Sequence, residues 1–206
     1  MDEKYYEKLL NIKTTGEQKW DCNVNHCHPY QATSYDALET LFDEYHIEDN
    51  DDIVDFGCGK GRLIFYINHF FNANVKGIEM DSGLYNDCLD NRSSYLKTHK
   101  KNNGKIEFSC GFAQEYAIRY QDNKFYFFNP FSVQLFIKII DNILSSVYES
   151  KRKVDIILYY PSNDYIYYLE NHTSFSLEKE IRLGSHFNKD SDERFLIYTL
   201  KMQAIV

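Results

Sequence analysis

The stretch Asp55-Phe56-Gly57-Cys58-Gly59-Lys60-Gly61-Arg62 sets three glycines on alternate positions between two apolar runs, Ile53-Val54 and Leu63-Ile64-Phe65-Tyr66-Ile67. That order of residues specifies a strand, a tight turn and the start of a helix. Glycine is needed where backbone takes positive φ or approaches a ligand closely, because a Cβ would clash. The helix start then offers N–H groups without intrahelical partners to polar ligand atoms. Asp55 ends the first strand. A second acid, Glu79, ends the next apolar run, Val75-Lys76-Gly77-Ile78, 18 residues beyond Gly61. A nucleotide-binding βαβ unit carries its ribose-binding carboxylate at about that distance.

The spacing separates two kinds of nucleotide site. The dinucleotide fingerprint is Gly-x-Gly-x-x-Gly, with the third glycine inside the helix. This chain has Gly-x-Gly-x-Gly, so Gly61 still belongs to the turn. The pattern resembles motif I of the class I S-adenosylmethionine-dependent methyltransferases, acidic-x-Gly-x-Gly-x-Gly. The resemblance extends from about Asp51 to the end of the chain. It implies that Asp55, Gly57, Cys58, Gly59 and Gly61 hold the methionine part of S-adenosyl-L-methionine. Glu79, with Met80 beside it, would hold the ribose.

Length and composition suit a single domain over residues 1–206. The resemblance implies a methyltransferase-like domain, with a helical leader at 1–50 and a Rossmann-like core at 51–206. The 43% hydrophobic content is ordinary for a globular protein, and 18 Tyr and 15 Phe predict an aromatic-rich core and cleft. The N-terminus has no apolar stretch of signal length and no run long enough to span a membrane, so a cytoplasmic protein is expected. A formal net charge of −8 argues against broad binding to duplex DNA. Lys97, His99, Lys100, Lys101 and Lys105 form a local basic run, read as a solvated helix end.

Further along, Ser34 is the expected cap of a helix with Ala37, Leu38, Leu41 and Phe42 on one face. Helices are expected from about Gly61 to His69, Ser82 to Lys97 and Val133 to Val147. Strands are expected at Ile106–Phe108, Phe125–Phe128 and Val154–Tyr160. The tail offers two strand-like pieces, 176–183 and 194–201, without a long helix between them. This predicts an α/β three-layer sandwich with a mostly parallel seven-stranded sheet and a C-terminal antiparallel hairpin.

Ligands in such sheets collect beyond the carboxyl ends of the strands. The fourth strand ends in Asn129-Pro130-Phe131. In the family, (Asp/Asn)-Pro-Pro-aromatic at this place binds a target amino group. The resemblance therefore implies that Asn129, Pro130 and Phe131 are catalytic, although this chain is one proline short. The Asn129 side chain and the Pro130 carbonyl would accept from the amino group, with Phe131 as a flat wall; Asn129 also borders the cofactor. Phe112 stands where the family often has a polar residue beside adenine, followed by Ala113. Tyr30-Gln31-Ala32-Thr33 resembles an aromatic-x-x-Thr approach to the cofactor. It implies Thr33 at the methionine carboxylate and Tyr30 over the substrate. Tyr160, ending the fifth strand, is a further substrate-lining candidate, and His172 and His186 are read as tail-loop residues.

Five cysteines without an export signal do not suggest a disulfide framework. Cys22, His26, Cys27 and His28 lack the second knuckle of a zinc site, so cleft-lining side chains are expected there rather than metal ligands. The expected function is methyl transfer to an acceptor on a small molecule, a protein side chain or a structured RNA, and the Asn129-Pro130-Phe131 resemblance implies an amino or amide nitrogen as the target. The alternatives are a non-catalytic cofactor-binding or partner subunit of the same fold, and a nicotinamide-dependent oxidoreductase.

Overall fold

The computed structural model describes residues 2–16, 30–100, 104–184 and 190–200. Among the described residues, six α-helices and seven strands follow one another: α1 Glu3–Leu10, α2 Tyr35–Glu44, β1 Asp52–Phe56, α3 Arg62–Phe71, β2 Asn74–Glu79, α4 Ser82–Thr98, β3 Ile106–Cys110, β4 Lys124–Phe127, α5 Val133–Glu149, β5 Val154–Tyr159, α6 Asn163–His172, β6 Ser176–Arg182 and β7 Arg194–Leu200. The strands form one sheet of order β3-β2-β1-β4-β5-β7-β6. Pairing is parallel from β3 through β5, while β7 runs antiparallel to both β5 and β6.

Every residue of β4 and β5 is buried, which is why their sequences read as continuous apolar runs rather than alternating ones. Alternate side chains feed two separate cores. Ile53, Val75, Tyr126 and Ile157 pack beneath α1, α2, α3 and α4. Val54, Ile78, Phe125 and Ile156 pack beneath α5 and α6. Helices therefore cover both faces, and the three-layer arrangement expected from the sequence is present.

Two helices go beyond the sequence reading. One is α1, capped by Asp2, whose side chain accepts from the Lys4 N–H, and turned by Asn11 in the left-handed region. The other is α6. Its buried stripe is Tyr165 and Leu169, an i, i+4 pair, and the Ser162 hydroxyl caps it by accepting from the Tyr165 N–H. His172 thus closes a helix instead of sitting in a loop. Because α6 returns from the carboxyl end of β5, and Ser176 pairs beside Thr199 and Asp155, His172 belongs to the amino end of the parallel strands, away from the glycine turn. Lys97, His99, Lys100 and Lys105 also lie at the amino ends, around the end of α4 and the start of β3, at the far side of the sheet from His172. Lys101, His186 and the Cys22, His26, Cys27 and His28 cluster lie outside the described residues. Among the described residues, no helix is long and apolar enough to cross a membrane.

Candidate active site

The connections after β1 and β2 pass to the face of α3 and α4, whereas those after β4 and β5 pass to the face of α5 and α6. The chain therefore parts between β1 and β4, and the carboxyl ends of these two adjacent strands flank a crevice. The glycine turn comes from β1, and Asn129-Pro130-Phe131 comes from β4.

Gly57, Gly59 and Gly61 all adopt positive φ, at 80°, 54° and 83°. The turn is tied back to the neighbouring strand by Gly57 and Cys58 N–H groups that donate to the Ile78 carbonyl at 2.9 and 3.2 Å. Glu79, 5% exposed, closes it: one carboxylate oxygen accepts from the Gly59 N–H and the other from the Asp81 N–H, both at 2.9 Å. Burial pushes the Glu79 carboxyl above its usual range, against the pull of the Asp81, Gly59 and Met80 N–H groups.

Asp55 is buried and accepts no hydrogen bond from a described residue. Its pKa is raised to about 8, first by burial and then by the negative charge of Glu79. This has a consequence for stability. In the unfolded chain the carboxyl ionises near 3.8, whereas the folded chain holds the proton to about 8. Asp55 therefore favours the fold fully below pH 3.8, and that contribution is lost as pH rises to about 8. Asp55→Asn should abolish a decline of up to about 1.4 kcal/mol per pH unit across that window. Urea denaturation of both proteins at pH 5, 7 and 9 reads it. Parallel pH profiles would mean that Asp55 is already ionised in the fold.

The leader reaches the same place. The Thr33 hydroxyl lies 2.7 Å from the Tyr126 hydroxyl, and the Thr33 carbonyl accepts from Arg62 at 3.1 Å. Arg62 is itself 5% exposed at the start of α3, donating to Thr14 Oγ1 at 2.7 Å and pairing with Glu3 at 2.8 Å. It thereby fastens α1 and the Thr33 segment onto the glycine turn. Tyr30, Thr33, Asp55, Gly57, Cys58, Tyr126 and Phe128 together line a cavity of about 30 Å³.

The Asn129 turn packs directly on the loop, since a Cβ on Gly57 would come within 2.9 Å of Pro130 Cβ. Asn129 has φ 39° and its amide bonds to no described residue. Phe131 turns into the core at 7% exposure, where its N–H donates to the Tyr165 hydroxyl and its carbonyl accepts from it. The aromatic ring lining the cavity on this side is instead Phe128. Tyr160 sits beside Asn129 at the end of the next strand, also with positive φ, and its hydroxyl donates to Asp190. Two non-glycine residues held this way at adjacent strand ends mark local backbone strain at the crevice.

At the end of β3, the Gly111 N–H donates to the Glu79 carbonyl. Phe112 is 49% exposed next to it, while Ala113 enters the core at the start of a single 3₁₀ turn. Sequence reasoning missed Arg62, Tyr126 and Phe128. The detectable signal was a charged residue opening an otherwise apolar helix, and a hydroxyl within an apolar strand.

This sheet order with a reversed β7 and a glycine turn at the switch point is the class I methyltransferase fold. Solved structures agree on the fold. The chain is 13% identical to an RNA methyltransferase from Salinibacter ruber in complex with S-adenosyl-L-homocysteine, covering 86% of this chain and 96% of that one at a TM-score of 0.55. It is 11% identical to a SAM-dependent methyltransferase from Aquifex aeolicus, covering 79% and 89% at 0.58. It is 12% identical to a Haemonchus contortus phosphoethanolamine N-methyltransferase with phosphoethanolamine and S-adenosylhomocysteine, covering 83% of this chain and 43% of that one at 0.59. No protein-family model and no curated protein matches the chain.

Proposed function

We propose that this chain is an S-adenosylmethionine-dependent methyltransferase. The observation that carries the reading is the meeting of two buried carboxylates, Asp55 and Glu79, on one glycine turn at the switch point of this fold. A nucleoside with a cationic amino-acid arm matches that pair of acceptors. Asp55, which accepts no hydrogen bond from a described residue, suits the ammonium group, whose positive charge would favour the ionised carboxylate. Glu79 suits the ribose hydroxyls, and Thr33 the methionine carboxylate. The cofactor supplies an electrophilic methyl on a sulfonium, so the protein's work is alignment and exclusion of water.

In this reading the acceptor is a nitrogen, held by the Asn129 side chain and the Pro130 carbonyl with its lone pair towards the methyl. A small molecule, a protein side-chain amide and a structured RNA all present such a group. Asn129→Ala should then slow methyl transfer by about 30- to 1,000-fold, the loss of about 2–4 kcal/mol from a geometry-setting hydrogen bond. Affinity for S-adenosylhomocysteine should hardly change, since Glu79 and the loop are separate from that turn. Radiolabelled cofactor incubated with fractionated cell extract identifies the acceptor and measures both proteins. Equal transfer by the variant would move the chemistry to another group.

One observation favours a non-catalytic subunit of the same fold: the ring of Tyr30 lies against Gly59, and the cavity beside it holds only about 30 Å³.

A further inference from the structure

We propose that Tyr30 is a built-in gate whose ring occupies the ligand's place on the glycine turn and must swing away before a nucleoside-sized ligand can bind. The inference rests on the cofactor reading above for the identity of the ligand. A Cβ placed on Gly59 would fall on the Tyr30 ring, so this ring, and no open space, is what the missing side chain at position 59 accommodates. The Cδ2–Cε2 edge of the ring lies against Gly59, and Lys60 Nζ stands 5.7 Å from its centroid. Its hydroxyl donates to the Thr14 carbonyl at 2.7 Å.

The remaining cavity of about 30 Å³ compares with the share of liquid volume taken by one water. A ligand of nucleoside size needs roughly 300 Å³ or more. Meanwhile the Gly59 N–H donates to Glu79, so the turn satisfies its own acid while the ring is down. The movable part is small. Thr33, three residues on, is fixed by Tyr126 and Arg62, so the backbone anchor stays while the Tyr30 side chain departs. What holds it down is the hydrogen bonding of its hydroxyl, to the Thr14 carbonyl and the Lys60 backbone, together with ring packing, contacts that a bound ligand can outweigh.

A gate that keeps the open form at about 0.1–10% of the population weakens apparent affinity by the same fraction. Tyr30→Ala should therefore tighten S-adenosylhomocysteine binding by about tenfold or more in calorimetric titration. Tyr30→Phe keeps the ring and loses only the hydroxyl's hydrogen bonds to Thr14 and the Lys60 backbone, so its gain should be smaller, about two- to tenfold. A second readout needs no ligand. Cys58 lines the same cavity as Tyr30 and is 7% exposed, so Tyr30→Ala should speed its alkylation by iodoacetamide, mapped by mass spectrometry. Binding that is unchanged or weaker in Tyr30→Ala would overturn the gate and make the ring a support for the ligand. Faster Cys58 alkylation with no binding by either protein would uphold the occluding ring and sink the cofactor reading. No binding and no change in alkylation would overturn both.

Discussion

Glu79→Ala is expected to lower affinity for S-adenosylhomocysteine by at least about 100-fold, the equivalent of roughly 3 kcal/mol. The expectation follows from the position of the carboxylate. It ends β2 beside the glycine turn, is 5% exposed, and presents both oxygens towards backbone N–H groups of the turn and of the following helix cap. A ribose diol offers two donors, and a hydrogen bond to a charged group contributes about 1.5–3 kcal/mol. Two such bonds at the lower value give the stated loss. Glu79→Gln keeps an acceptor without the charge and should fall between the two proteins. The Gly59 and Asp81 N–H groups lose their acceptor in the Ala variant, so circular dichroism must first show that its fold is intact. A folded variant that binds within threefold of the parent would place the ribose elsewhere.

Asp155→Ala should destabilise the fold by about 3 kcal/mol, without any direct effect on the crevice. Asp155 and Lys124 stand near the amino ends of β5 and β4, at the end of these central strands opposite the glycine turn. The carboxylate is 3% exposed and accepts from Tyr45 at 2.6 Å, Thr199 at 2.7 Å and Lys124 at 3.2 Å. Burial alone would raise its pKa, but the Tyr45 hydroxyl, the Lys124 ammonium and the Thr199 hydroxyl together hold it below the usual carboxylate range. Removing the carboxylate strands a 9% exposed lysine and two hydroxyls. Breaking a buried pair in this way typically costs about 3–5 kcal/mol. Asp51, 3.5 Å from Lys124, supplies a remaining counter-charge and sets the expectation at the lower end. The sign of the pH effect is opposite to that of Asp55. Because the folded pKa is depressed, this contribution is present above pH 3.8 and is lost as pH falls through the folded value. Urea denaturation at pH 7 measures the loss, and a change below about 1 kcal/mol would show that Lys124 escapes to solvent in the variant.

The central strands were legible because their positions in the sheet leave one reading. A strand buried on both faces is apolar along most of its length, and 125–128 and 154–160 fit that place, with the buried Asp155 the exception that Lys124 and two hydroxyls satisfy. The glycine turn and the two acids were legible because backbone geometry and ligand chemistry restrict residue type there. Helix α6 was hidden by its tyrosines. Tyr165, Tyr167 and Tyr168 carry both apolar rings and polar hydroxyls, so the i, i+4 phase of Tyr165 and Leu169 was masked among residues equally at home in strands. Arg62 was hidden for a different reason. Its worth lies in partners at positions 3, 14 and 33, joined only by the fold. Phe131 shows the limit of reading a motif along the chain: the turn at Asn129 sends the next ring but one into the core, and Phe128, on the strand side of the turn, faces the cavity instead.

Calorimetric titration of the parent protein with S-adenosylhomocysteine, and separately with NADH, bears most directly on the proposed cofactor site. One S-adenosylhomocysteine per chain and no binding of NADH is the expected result. Folded protein that takes up no S-adenosylhomocysteine at millimolar concentration, or that binds NADH in preference, would contradict it.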